Sequence, residues 1–153
     1  MRRRPPLPPP PSLAQRGLEL ARLALPGARM SIERGRLLRY WFSVAPTAYS
    51  RVYRCLLRIP RNGFPEMVVL EPDLRVLAGA RPLPHIYPHD GLGTQLCLWL
   101  PRMNEWVPAM PLADTYLAWA AEWLKYFEEW LYRDDWAGGG EHPRTRQKRW
   151  SRR

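Results

Sequence analysis

The sequence predicts an α+β domain: an N-terminal helix, an antiparallel β-meander, a long loop that carries a cysteine, and a C-terminal helix. Three observations carry that prediction. Apolar residues recur at spacings of three and four near both ends, from Leu13 to Leu25 and from Leu117 to Leu131. Three β-like segments lie together between them. From Leu74 to Pro111 the chain is rich in Pro and Gly and has no clear period apart from a short Leu96 to Leu100 segment, which in a compact domain marks a functional or a disordered loop. Its Trp and Tyr content argues against disorder.

Taken in order, residues 1–11 are Arg-rich, then Pro-rich, and read as a disordered tail of extended polyproline character. Ser12 followed by Gln15 has capping-box spacing, and Leu13, Leu18, Leu20, Ala21 and Leu25 continue it as an apolar stripe until Pro26-Gly27. Gly17 weakens that helix by about 1 kcal/mol. Arg36 to Val44 is aromatic and aliphatic. Tyr49 to Ile59 alternates, with Tyr49, Tyr53, Cys55, Leu57 and Ile59 on one face. Asn62-Gly63 supplies a turn, and Glu66 to Glu71 makes the third strand, ended by Pro72. Pro111 opens the last helix, which runs to about Tyr132 with Asp114 in its first turn. The folded domain is expected over residues 12–143, with residues 144–153 as a second disordered, basic tail.

At 153 residues the chain suits one domain with a single hydrophobic core. Its net charge of +10 would suggest a nucleic-acid partner if it were spread over a surface. It is not. Arg2 to Arg4 and six basic residues beyond Pro143 hold the excess, leaving fifteen basic against fourteen acidic residues between Pro5 and Pro143. Such arms either solvate the chain or bind polyanions non-specifically through counterion release, and the neutral middle lacks the aromatic-basic interleaving of a stacking platform. Two cysteines make no disulfide framework, and no Cys/His spacing fits zinc, so neither metal nor cofactor is expected. A reducing cytoplasm fits this composition. Proline follows the N-terminal arginines where a signal peptide needs an apolar run, and Asp114, Glu122 and Lys125 interrupt the most hydrophobic helix, so neither a secretion signal nor a membrane span is expected.

The cysteines differ in setting. Cys55 lies on the apolar face of a strand and reads as a small buried hydrophobe. Cys97 follows Pro84-His85-Ile86-Tyr87-Pro88-His89-Asp90-Gly91, sits inside Leu96-Cys97-Leu98-Trp99 and precedes Glu105-Trp106-Val107-Pro108 and a helix. That order of residues presents a thiol for chemistry. Flanking Leu96 and Leu98 leave open the alternative of a buried filler on a short strand.

These residues resemble the active-site segment of the ubiquitin-conjugating enzymes, in which a His-Pro-Asn-Ile-Tyr run leads through glycine to a Cys between aliphatic residues and then to Trp-x-Pro before a helix. The following helix, with Leu112-Ala113-Asp114-Thr115, Trp119, Glu122-Trp123-Leu124, Tyr126, Glu129, Trp130-Leu131, Gly138-Gly139-Gly140 and His142-Pro143, is similar to that of a bacterial branch. That branch includes the stand-alone conjugating proteins of short type II CBASS antiphage operons. The resemblance implies a UBC-like fold and a thioester at Cys97, formed with a protein C-terminus and released to a lysine or another nucleophile. It implies as partner a carrier such as a cyclic-oligonucleotide synthase, with activation by a separate enzyme, because no adenylating domain fits in this chain. A non-catalytic scaffold on the same fold, docking through its tryptophan-rich helix, is the competing reading.

By the same resemblance His85 stands where the family has Asn, so it becomes the oxyanion donor through a ring N–H. Leu83 stands where the family has His, and the Tyr87 to Cys97 loop is two residues longer than usual. Tyr87, Trp106 and Pro108 are expected to shape the site. Asp90, His89 and Glu105 are candidates to move a proton from an attacking amine.

Overall fold

The structure is a computed structural model and describes residues 3–139. Ser12 caps the first helix, α1 (Leu13–Ala21), in the reciprocal manner its spacing predicts. The Gln15 N–H donates to Ser12 Oγ, and the Ser12 N–H to Gln15 Oε1. Gly17 proves to be a contact point: a Cβ there would lie 3.1 Å from Met30 Sδ and 3.7 Å from Leu38 Cδ1, so its absence brings α1 against the sheet. The helix stops at Ala21, short of Pro26, and Leu25 packs on the core from the connection that follows.

Six antiparallel strands form one sheet in the order β1-β2-β3-β4-β6-β5. They are β1 (Arg29–Glu33), β2 (Leu37–Val44), β3 (Tyr53–Pro60), β4 (Glu66–Glu71), β5 (Ile86–Tyr87) and β6 (Thr94–Leu96). The expected meander is β2 to β4, and its register sets the core face: Phe42 pairs with Cys55, Tyr40 with Leu57, and Leu57 in turn with Met67. All five are buried. Opposed apolar side chains on one face are the unit that holds such a sheet together.

Differences from the sequence prediction have physical causes. Tyr49 is fully exposed, because alternation begins only at Tyr53. Residues 47–50 instead make a hydroxyl-bonded turn in which Ser50 Oγ meets Thr47 Oγ1 at 2.7 Å. The edge strand β1 is exposed along most of its length and so shows no alternation to read. The Leu74 to Pro111 segment contains a short helix, α2 (Leu74–Ala78), capped by Asp73, and the β5–β6 hairpin. Gly93 admits that hairpin to the sheet: at φ 87° a Cβ would come within 2.5 Å of Val69 O.

The final helix begins with one wide π-helical turn, Ala113–Leu117, and continues as α3 (Ala118–Arg133) until Asp134 turns left-handed. Leu112, Tyr116, Ala120, Leu124 and Phe127 join the sheet residues in one buried cluster. Trp123 and Trp130 are buried as well, whereas Trp119 is half-exposed. Residues 3–10 are exposed and carry no regular secondary structure. The basic segment 144–153, with Gly140, His142 and Pro143, lies outside the described residues. No helix among the described residues is long and apolar enough to cross a membrane.

Candidate functional site around Cys97

Cys97 follows directly on β6, and its N–H donates to the carbonyl of His85, the residue before β5, at 3.0 Å. The hairpin ladder thus extends one step past its strands. The same carbonyl accepts the Trp123 indole N–H at 3.0 Å, which ties α3 to the hairpin. His85 adopts a positive φ of 48° there, and its ring packs 5.1 Å from Trp136.

The thiol lines a cleft of about 580 Å³, with His85 beside it and the 98–105 segment, α3 and the Trp136–Gly139 turn as walls. Glu105 and Glu122 supply its carboxylates. Trp119, Trp123, Tyr126 and Trp136 supply aromatic surface, and among the described residues neither Lys nor Arg lines it. Cys97 is 7% exposed. Burial pushes its thiol pKa up, the Tyr87 hydroxyl pulls it down by hydrogen bonding the thiolate, and the Glu105 carboxylate raises it again. The thiol donates to Trp99 O at a long 3.7 Å.

The other predicted site residues divide. Tyr87 points its hydroxyl at the same Trp99 carbonyl, 2.9 Å away, and lines a second cleft of about 350 Å³ that shares Leu98, Trp99 and Leu100 with the first. Trp106 is buried behind the site, 5.9 Å from the Trp99 ring. It does not line the Cys97 cleft. The Pro108 carbonyl accepts from Arg16, which also donates to Met110 O at 3.1 Å and lies 5.9 Å from the Trp106 ring centroid. Glu19 accepts the Leu112 N–H, so two charged residues of α1 hold the 106–112 segment in place. His89 contacts Leu92 O at 3.1 Å within the β5–β6 turn, and Asp90 is exposed. Neither lines the Cys97 cleft.

Sequence reasoning missed the Arg16–Glu19 clamp, whose partners lie 92 to 94 residues away. It named no chemical part for Glu122 and Tyr126, although both stand in the helix pattern; one helical turn apart, they face the cleft together, and Tyr126 donates to Glu122 Oε1 at 3.2 Å. Gly138 and Gly139 border the cleft, whereas Gly140 and His142 lie outside the described residues. Cys55, by contrast, is 1% exposed on the sheet face, and burial pushes its thiol pKa up to about 12, as suits a small buried hydrophobe. Among the described residues no three of His, Cys, Asp and Glu gather as a metal site requires.

A family model described as Type II CBASS E2 protein matches residues 18–143, which include most of the described residues from α1 onward. The chain belongs to the Type II CBASS E2 family. No curated protein matches it. As a CBASS E2 protein it has an E2-like role in antiphage defence, among protein partners of that system. The α+β arrangement of this CBASS E2 protein, with a helix at each end of an antiparallel sheet, agrees with a UBC-like fold.

Proposed function

We propose that this chain carries an acyl group: the Cys97 thiolate takes a protein C-terminus as a thioester and passes it to an acceptor nucleophile. One contrast carries the reading. Of two cysteines equally able to fill a core, Cys97 opens onto a cleft with carboxylates and an adjacent imidazole, while Cys55 is sealed in the sheet.

Loading forms the C–S bond as the activated carboxyl's leaving group departs with its electron pair, activation being supplied by a separate enzyme. Discharge forms a bond from the acceptor, an amine in the simplest case, to the carbonyl carbon and breaks C–S, the sulfur leaving as thiolate. The amine proton goes to Glu105 or Glu122, which line the cleft, in preference to His89 or Asp90, which do not. His85 donates to the oxyanion. The carrier fitting a CBASS setting is a cyclic-oligonucleotide synthase.

Intact-mass measurement of the protein co-expressed with that partner, as wild type and as Cys97→Ser, tests the proposal. The expected result is a wild-type adduct that hydroxylamine cleaves, replaced in the serine variant by a stable ester or by none. An undiminished, hydroxylamine-resistant adduct in both would overturn it. The burial of the thiol favours a second reading, a non-catalytic scaffold. Its signature is full complex formation and full biological activity in Cys97→Ser.

A further inference from the structure

The main-chain oxygen of Trp99 serves two donors. The Tyr87 hydroxyl donates to it at 2.9 Å, and the Cys97 thiol faces it at 3.7 Å. The oxygen belongs to a well-held residue, since the Trp99 indole N–H donates to the Tyr116 hydroxyl at 2.6 Å. Tyr87 pairs with Gln95 across the β5–β6 ladder, so Cys97, two residues on, is its diagonal neighbour on the same face. An aromatic side chain spans that diagonal.

The arrangement suits a protonated thiol. Removing the proton leaves Sγ, now only an acceptor, facing the lone pairs of Trp99 O with no hydrogen between them. A hydroxyl hydrogen is free to rotate toward the better acceptor. We propose that Tyr87 is a catalytic residue whose hydroxyl swings from Trp99 O to the Cys97 sulfur whenever that sulfur is anionic. The proposal rests on the acyl-transfer reading above and assigns one group to both ends of it: the thiolate that attacks the carrier's carbonyl, and the thiolate that leaves, with the C–S electron pair, when the acceptor attacks. In neither step does Tyr87 surrender its proton. Burial holds its pKa well above that of an ordinary tyrosine, so it remains a donor where the thiol ionises.

The other groups around the sulfur differ in kind. His85 lines the cleft from the segment before β5. Glu105, from the 98–105 segment, opposes the thiolate, and Glu122 of α3 is a second carboxylate in the same cleft. The Tyr126 hydroxyl is directed to Glu122.

The pH dependence of Cys97 alkylation by iodoacetamide, read by peptide mass spectrometry so that Cys55 is scored separately, provides the test. Wild type, Tyr87→Phe and Tyr116→Phe are compared. Tyr87→Phe keeps the ring and is expected to move the midpoint to higher pH, slowing alkylation about tenfold at a fixed pH below it, a displacement of one pKa unit. Tyr116→Phe loosens Trp99 from its other side and is expected to leave the midpoint in place. An unmoved midpoint in Tyr87→Phe, or an equal displacement in both variants, would overturn the proposal. Fluorotyrosine incorporation keeps the bond with a stronger donor and is expected to lower the midpoint; no change there would count equally against it. Alkylation needs no carrier, so this result stands apart from whether a thioester adduct forms.

Discussion

Trp123 binds His85 through a buried indole N–H, 3.0 Å from the His85 carbonyl that also receives the Cys97 N–H. α3 therefore fixes the backbone opposite the thiol. Trp123→Phe keeps most of the ring packing and deletes the donor. Stability should fall by about 0.5–1.5 kcal/mol in denaturant unfolding, the net worth of one hydrogen bond, because the His85 carbonyl keeps the Cys97 N–H as a donor.

His85 combines a positive φ of 48° with a buried ring, and these two features separate by substitution. Asn tolerates left-handed backbone and keeps a donor in the cleft, whereas a β-branched residue tolerates neither demand. His85→Val is expected to be less stable than His85→Asn by about 1–3 kcal/mol in thermal or denaturant unfolding. Transfer should persist in the Asn variant, whose amide keeps a donor in the cleft, and fall in His85→Val, checked by adduct discharge rates of both variants beside wild type. Equal discharge by the Val variant and wild type would remove the imidazole from the chemistry.

Arg16 is 4% exposed, with donors to Glu19, Met110 O and Pro108 O. Truncation to Ala would strand those carbonyls and leave Glu19 with the Leu112 N–H alone as its partner. A loss of about 2–4 kcal/mol is expected, from hydrogen bonds to a charged group. Arg16→Lys should recover little of it, because a single ammonium cannot reproduce a forked donor reaching two carbonyls.

What was legible in the sequence follows from which signals are local. The Ser12–Gln15 cap, the β3 alternation from Tyr53, the apolar run of β4 and the α3 stripe are written within one turn or one strand, and each lies where its residues place it. β5 and β6, of two and three residues, are too short to show a period and exist because β4 offers an edge. The site behaves alike. Cys97 and His85 adjoin through the hairpin, and both stand within one short stretch of sequence. Glu122 and Arg16 act at long sequence distance, so only the fold assigns them a place.

Gly93 lies where β6 meets β4. Gly93→Ala would drive a Cβ to 2.5 Å from Val69 O at a φ of 87°, so backbone must move. Because Val69 pairs with Thr94 and Val68 with Gln95, the displacement would pass along β6 to Cys97. The expected result is a loss of at least about 1–3 kcal/mol in unfolding, with slower alkylation or exposure of Cys97 measured by the same peptide mass spectrometry. Equal stability and unchanged Cys97 reactivity would show that the hairpin is not seated through this glycine.

Alkali should weaken the fold by a route the buried thiol defines. Cys55 is pushed from the ordinary thiol value of 9 up to about 12, and burial also raises Tyr53, whose hydroxyl donates to Glu128 at 2.8 Å. For both groups the folded state favours the protonated form. Between the unfolded and folded values the unfolded chain therefore binds fewer protons, and stability falls as pH rises. The contribution is complete below pH 9 and declines by about 1.4 kcal/mol per pH unit for the thiol from there to about 12, with the tyrosine adding to the slope above roughly pH 10. Cys55→Val removes the thiol from this balance while preserving a small apolar side chain. In urea unfolding at a series of pH values from 7 to 11, the variant should lose less stability than wild type between pH 9 and 10. Parallel curves would mean that Cys55 titrates as freely in the folded protein as in the unfolded chain.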